Sequence, residues 1–202
     1  MSGQVINRRE EHKKHTRTAL EDAAMGLFAR YGYEETTVEE IAAEAGVSVR
    51  TFFRYFASKQ HALFGDVAYQ RVSVMARALE ARPADEDPLD SVRIVLDQSD
   101  VTDPAELAQI RARMHLMVTQ PALLSTYLMI SRELQNQVGA FVARRCGLPS
   151  QHVYPLKVSA AAASAWDIAL SAWVGGQSPD LATARREAFE QLSAGIRLDT
   201  KS

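Results

Sequence analysis

Between Val49 and Lys59, cations and hydroxyls are interleaved with phenylalanines: Arg50, Thr51, Arg54, Tyr55 and Lys59 against Phe52, Phe53 and Phe56. A guanidinium bonds two acceptors on a guanine edge or a phosphate, a hydroxyl bonds a phosphate oxygen, and an ammonium neutralises one phosphate charge. Phe52 and Phe56 stand at i and i+4, so a helix here buries both and turns its cations outward. Such a surface suits recognition of duplex nucleic acid. Other chemistries find little support. G-x-S-x-G, a phosphate-cradling glycine loop and H-E-x-x-H are absent, and His115 and Cys146 are singletons with no visible catalytic partner. His12 and His15 are three apart, but no carboxylate or cysteine cluster joins them. The chain is expected to be no enzyme and to hold neither metal nor cofactor.

The elements that must position those residues lie just upstream. Thr37 is a helix N-cap with Glu40 three residues on, the spacing of a capping box. Val38, Ile41, Ala42 and Ala45 follow at helical spacing, and Gly46 ends that helix. Ser48 caps the next, so the pair reads as a helix-turn-helix with Val49–Tyr55 as the recognition helix. A further helix, Thr16 to Tyr31, carries Ala19, Leu20, Ala23, Ala24, Leu27 and Phe28 on one side and stops at Gly32. A bare helix pair joined by glycine occurs in many all-helical proteins; the detailed strings say more. AGVSVRTFFRYFASKQHAL and ALEDAAMGLFARYGYEETTVEEIA resemble the signature of the TetR (tetracycline-repressor) family, densely from about Thr16 to Leu63. The resemblance implies a DNA-contacting set of Thr37, Ser48, Arg50, Thr51, Phe53, Arg54, Tyr55 and Lys59. Arg50 and Thr51 are expected to read bases, and Thr37, Arg54, Tyr55 and Lys59 to anchor phosphates. One departure is that Phe53 stands where many members carry a tyrosine whose hydroxyl reaches a phosphate.

The chain of 202 residues is 47% hydrophobic and 24% charged, with a formal net charge of −2. That places it among globular proteins and says little about partners, because a DNA binder need be basic only on the contacting face. A single cysteine rules out an internal disulfide and fits a reducing compartment. The polar start has no apolar core, and no run approaches the roughly 18 apolar residues of a membrane span, so a cytoplasmic protein without membrane contact is expected. The expected fold is all-α, with a three-helix DNA-binding domain at 16–63 and a larger ligand-binding and dimerisation domain at 64–202. Residues 1–15, with Arg8, Arg9, Lys13 and Lys14, read either as a flexible solvated tail or as a basic arm along DNA. Helices are expected from about Lys59 to Arg82 and, beyond an acidic linker at Pro83–Pro88, over 89–99, 104–118, 121–146, 155–174 and 179–197.

Within the larger domain, Arg111, Met114, Met117, Tyr127, Leu128, Ser131, Gln135, Phe141, Trp166, Leu170 and Trp173 form the candidate lining of an effector cavity. It is apolar and aromatic, which suits a hydrophobic small molecule. Ser131 and Gln135 fall inside an apolar arc, so they either line that cavity or bond a neighbouring helix. On 155–174, Val158, Ala161, Ala165, Ile168 and Ala172 make a small face fit for close helix packing, within the subunit or across a two-fold axis. Asp167 shares a serine-lined face and reads as solvated or capping. Family resemblance implies that helices 155–174 and 179–197 pair with their symmetry mates in a homodimer. The C-terminal half is also similar to actinobacterial regulators of the mycofactocin-system type, which implies acyl-CoA recognition. The reading is a homodimeric repressor released from a palindromic operator by its effector. A helical protein–protein adaptor is the alternative, but an adaptor has no need for Arg50, Thr51, Arg54 and Lys59 beside a capped turn.

Overall fold

The computed structural model describes residues 2–196, apart from the side chains of 2–7, 9–10, 64–67, 118–119 and 121–122. Among the described residues every regular element is an α-helix: α1 Ser2–Tyr31, α2 Val38–Glu44, α3 Val49–Tyr55, α4 Lys59–Glu80, α5 Pro88–Gln98, α6 Pro104–Thr119, α7 Pro121–Cys146, α8 Val153–Val174 and α9 Leu181–Ser193. The helical stretches expected from periodicity are all present, with shifted ends. α1 reaches back to Ser2, so the stretch expected as a tail or arm is helical. Its arginines, lysines and glutamates are good helix formers, and an adjoining helix supplies the nucleus. α8 starts at Val153 because His152 caps it, the ring Nδ1 accepting from the Tyr154 N–H at 3.2 Å. α9 stops at Ser193, shortly before Gly195.

The chain divides into two compact units. One comprises residues 1–66 with 115–126, the other 67–114 with 127–202. The first is built on Leu20, Ala24, Leu27, Phe28, Ile41, Phe52, Phe56 and Leu63, and it also buries Leu123 from the 115–126 piece. Gln60 donates to the Ser125 hydroxyl at 3.3 Å within that unit, and Arg30 of α1 pairs with Glu44 of α2 at 2.7 Å.

The second unit has one core, drawn from α4 (Val72, Met75, Leu79), α5 (Val92, Val95, Leu96), α7 (Leu134, Val138, Phe141, Val142), α8 (Val158, Ala162, Ala165) and α9 (Ala188, Phe189). Of the two packings expected for the small face of α8, within the subunit or across a two-fold axis, most of that face takes the first. Val158, Ala161 and Ala165 are buried inside their own protomer, Ala165 completely, whereas Ile168 is 46% exposed. α8 is apolar around most of its circumference, so periodicity shows which residues share a face but not which face turns inward. Val153, Leu156, Lys157, Ala160, Ile168 and Ser171 are its outward residues. Between α5, α8 and α9 lies Arg185, 1% exposed, its guanidinium 4.8 Å from the Trp166 ring centre and ion-paired with Asp100.

The expected linker after α4 is a closed loop. Arg82 donates to Glu86 at 2.7 Å through Nε, and Ser91 donates to the same carboxylate at 2.6 Å. Arg145 of α7 reaches over to donate to the carbonyls of Arg82, Pro83 and Glu86. The hydrogen bonds from Arg82, then Ser91, hold the Glu86 carboxyl down at about 2, against an ordinary 4.5. A depressed carboxyl contributes stability that is whole above its unfolded value and is lost as pH falls through the folded one. Glu86→Gln should therefore lower the urea midpoint at neutral pH, and the gap to the wild type should close between about pH 4.5 and pH 2. A gap independent of pH in that window would show that the loop's stability does not come from the ionised carboxylate.

Candidate nucleic-acid interface

The turn between α2 and α3 is fixed by local chemistry at both ends. Thr37 accepts from the Glu40 N–H at 3.2 Å, while the Glu40 carboxylate accepts from the Thr37 N–H at 2.8 Å and from its hydroxyl at 2.9 Å, completing the capping box. Those bonds hold the Glu40 carboxyl below its ordinary value. Gly46 takes φ of +68°, a left-handed backbone that an L side chain rarely adopts, and so allows the Val47 N–H to bond Ala42 O at 2.9 Å. Ser48 then caps α3 by accepting from the Thr51 N–H at 3.1 Å, and the two hydroxyls lie 3.0 Å apart.

Phe52 is fully buried and leans on Phe56, with ring centres 5.7 Å apart; the Arg17 guanidinium of α1 lies 4.8 Å from the Phe56 centre. These contacts set the rotation of α3. They leave Arg50, Phe53 and Arg54 outward at i, i+3 and i+4, one face of the helix. Among the described residues nothing pairs with the Arg50 guanidinium. Arg54 lies 5.3 Å over the Tyr55 ring. Phe53 is 55% exposed and is held edge-on to Phe52 at 5.4 Å, so an apolar ring stands in the middle of the cationic face. Thr51 and Tyr55 are half-buried at its margin, and Thr37 and Ser48 lie exposed at the two N-caps.

Lys59 is oriented differently from the rest. Its ammonium turns back to the α1–α2 connection and donates to the carbonyls of Tyr33, Glu34 and Thr36 at 2.6, 3.1 and 3.0 Å, over the Tyr33 ring at 4.4 Å. Sequence spacing gave no signal of this arrangement, since its acceptors are backbone atoms 23–26 residues away.

The residues expected around an effector are dispersed in burial. Met114, Phe141, Leu170 and Trp173 are buried, with Phe141 inside the common core of its unit; Met117, Tyr127, Ser131, Gln135 and Trp166 are half-buried; Arg111 and Leu128 are exposed. Two polar pairings join helices here. The Arg111 guanidinium of α6 stacks 4.3 Å from the Trp173 ring of α8, and the Tyr127 hydroxyl of α7 donates to Asp167 of α8. Burial first, then that bond, pushes the Tyr127 hydroxyl's pKa upward, so it stays a donor. Asp167 is thus a half-buried acceptor rather than a solvated residue. Gln135 accepts a long contact from Arg132 on its own helix at 3.5 Å. A depression of about 440 Å³ between α1 and α2 is lined by Leu27, Tyr31, Glu40, Ala43 and Glu44, and none of the expected effector residues borders it.

Among the described residues no group of three or more histidine, cysteine, aspartate or glutamate side chains is placed to hold a metal, and no helix is long and apolar enough to cross a membrane.

Comparison with known proteins agrees with this all-α fold. Residues 20–67 match the family described as "Bacterial regulatory proteins, tetR family", and residues 86–197 match the one described as "MftR C-terminal domain". The chain is 36% identical over 146 residues to the HTH-type transcriptional regulator TcmR of Streptomyces glaucescens, covering 69% of this chain and 64% of that protein. It is 30% identical over 183 residues to a protein of Mycobacterium tuberculosis named as mycofactocin biosynthesis transcriptional regulator MftR, covering 88% and 89%. In structure it is similar to Thermus thermophilus FadR in complex with lauroyl-CoA, with a TM-score of 0.57, 21% identity and coverage of 92% and 98%. At that identity the likeness speaks for the fold alone.

Proposed function

The chain belongs to the TetR family of bacterial regulatory proteins, a family of helix-turn-helix transcriptional regulators, and from that premise we propose that it is a homodimeric, cytoplasmic repressor without catalytic activity. The observation that carries the DNA-binding half of this reading is the outward face of α3, where an unpaired Arg50 and Arg54 flank an exposed Phe53 on a helix capped and locked from behind. Arg50 reads a base edge with Thr51 beside it; Arg54, Tyr55, Thr37 and Ser48 lie toward the backbone. Two copies place two such faces in successive major grooves of a palindrome. Selection of duplexes from a random pool by the full-length protein tests this. A palindromic consensus is the expected result, and failure to enrich any sequence would favour the adaptor reading.

Pairing of the two protomers is assigned to the outward residues of α8 and α9. Leu156, Ile168 and Leu192 are large, apolar and exposed on them, and an isologous four-helix contact would cover all three.

The effector is placed among α6, α7 and α8. Met114, Leu170 and Trp173 supply apolar and adaptable surface, and Arg111 and the Tyr127–Asp167 pair supply the few polar groups that would orient a carboxylate, thioester or amide. A medium or long acyl compound, or a flat aromatic one, fits that chemistry better than a sugar. Its binding would shift the population of the two protein states that hold the heads at different spacing, lowering operator affinity. Lauroyl-CoA is the first probe: it should quench tryptophan fluorescence and release the selected operator. Ser131→Trp, by filling space beside Tyr127, should abolish release and leave operator binding intact. A normal response in that variant, or release only by small polar compounds, would move the sensor elsewhere.

A further inference from the structure

We infer that Lys59 acts in DNA recognition as a positioning residue, a clasp that ties the first turn of α4 to the α1–α2 connection, and not as a phosphate anchor. An ammonium has three hydrogens and no acceptor capacity. All three are directed to carbonyls, those of Tyr33, Glu34 and Thr36, at 2.6–3.1 Å. The Tyr33 ring, 4.4 Å away and itself packed on Phe28 at 5.1 Å, closes one side of the cage. To meet a phosphate, the side chain would have to abandon three charge-assisted bonds and leave those carbonyls without their donor.

The clasped segment ends at Thr36, one residue before the N-cap of α2, where Thr37 and Glu40 set the helix direction. At its other end stands α4, separated from the C-cap of α3 by Ala57 and Ser58. Lys59 therefore closes a ring that runs from the turn through α2, Gly46 and α3 back to α4. Within that ring the outward face of α3 has a fixed place. The clasp's contribution to DNA binding is the aim of Arg50 and Arg54, with no charge delivered to the backbone.

Acylation of the wild-type protein by an N-hydroxysuccinimide ester, read residue by residue by mass spectrometry, tests the assignment without any substitution. Lys59 should be slow both free and on the selected operator, with exposed Lys14 as the fast reference in the free protein. A Lys59 that reacts as fast as Lys14 when free and is protected only by DNA overturns the clasp. Lys59→Met and Lys59→Arg then separate the roles. The clasp expects both to weaken binding to the selected operator by about tenfold or more, the effect of misplacing one base contact. It also expects the slope of log affinity against log salt on poly(dI-dC) to stay at the wild-type value. A phosphate anchor instead predicts a slope smaller by about 0.9 per site in Lys59→Met, restored in Lys59→Arg. A lowered Tm with unchanged operator affinity in both variants would make Lys59 merely structural and would equally overturn the proposal. Failure of the pool selection itself would tell against the DNA-binding reading, whereas the acylation rate of the free protein tests the clasp regardless.

Discussion

Ile168→Arg should leave a folded protomer that no longer pairs, and should weaken operator binding by roughly 10²–10⁴-fold, the gain that linking two binding modules provides. Ile168 is 46% exposed on the outward side of α8, so an arginine there is hydrated in the isolated protomer and intolerable only when a second copy covers it. Three positions earlier, Ala165→Arg should have another outcome. That side chain has no exposure at all and belongs to the core shared by α4, α5, α7 and α9, so the charge would be buried without a partner and the unit would not fold. Circular dichroism separates the two, and sedimentation of the folded Ile168→Arg variant reads its mass. A variant that folds and still sediments as a dimer would exclude the outward surface of α8 from the pairing face.

Arg50→Ala is expected to cost about 1–3 kcal/mol per half-site and to flatten the preference for operator over scrambled duplex, because an arginine bonded to a base edge is what distinguishes the two. In a symmetric dimer the loss occurs twice, roughly 2–6 kcal/mol in all if the half-sites are independent. The guanidinium has no partner among the described residues, so its removal breaks nothing inside the protein. Affinities for both duplexes at several salt concentrations decide the matter. An equal loss on each would make Arg50 a backbone contact and shift base reading to Thr51 and Arg54.

The two halves of the chain differ in how much of them could be read beforehand. The capping box of Thr37 and Glu40, the Ser48 cap and the positive φ of Gly46 depend on residues three or four apart, and short-range chemistry left a clear trace in the string. The buried and outward sides of α3 followed from Phe52 and Phe56 alone. What remained hidden depends on distant partners. Arg145 reaching the Arg82–Glu86 loop, Asp167 receiving the Tyr127 hydroxyl and Arg185 stacked on Trp166 pair side chains with groups 19 to more than 60 residues away, and no local pattern announces them. Lys59 is the sharpest case, since resemblance supplied a role for it while its acceptors, being backbone carbonyls, leave no trace in residue type. On α8, an excess of apolar residues left the orientation of the helix undetermined.

The smaller unit is not one continuous stretch of sequence. It is completed by residues 115–126, whose Leu123 is wholly buried and whose Ser125 meets Gln60. Hybrid regulators, in which the reading head of one protein is grafted onto the sensor of another, are usually imagined as a single splice. Here a splice at residue 66 would hand the new sensor a head missing a buried leucine from the α6–α7 corner. A splice in the Pro83–Pro88 loop would be worse, since it also carries Val72, Met75 and Leu79 out of the core they fill and parts Arg145 from its carbonyls. A transplant that works must carry two pieces, the first 66 residues and the corner that seals them.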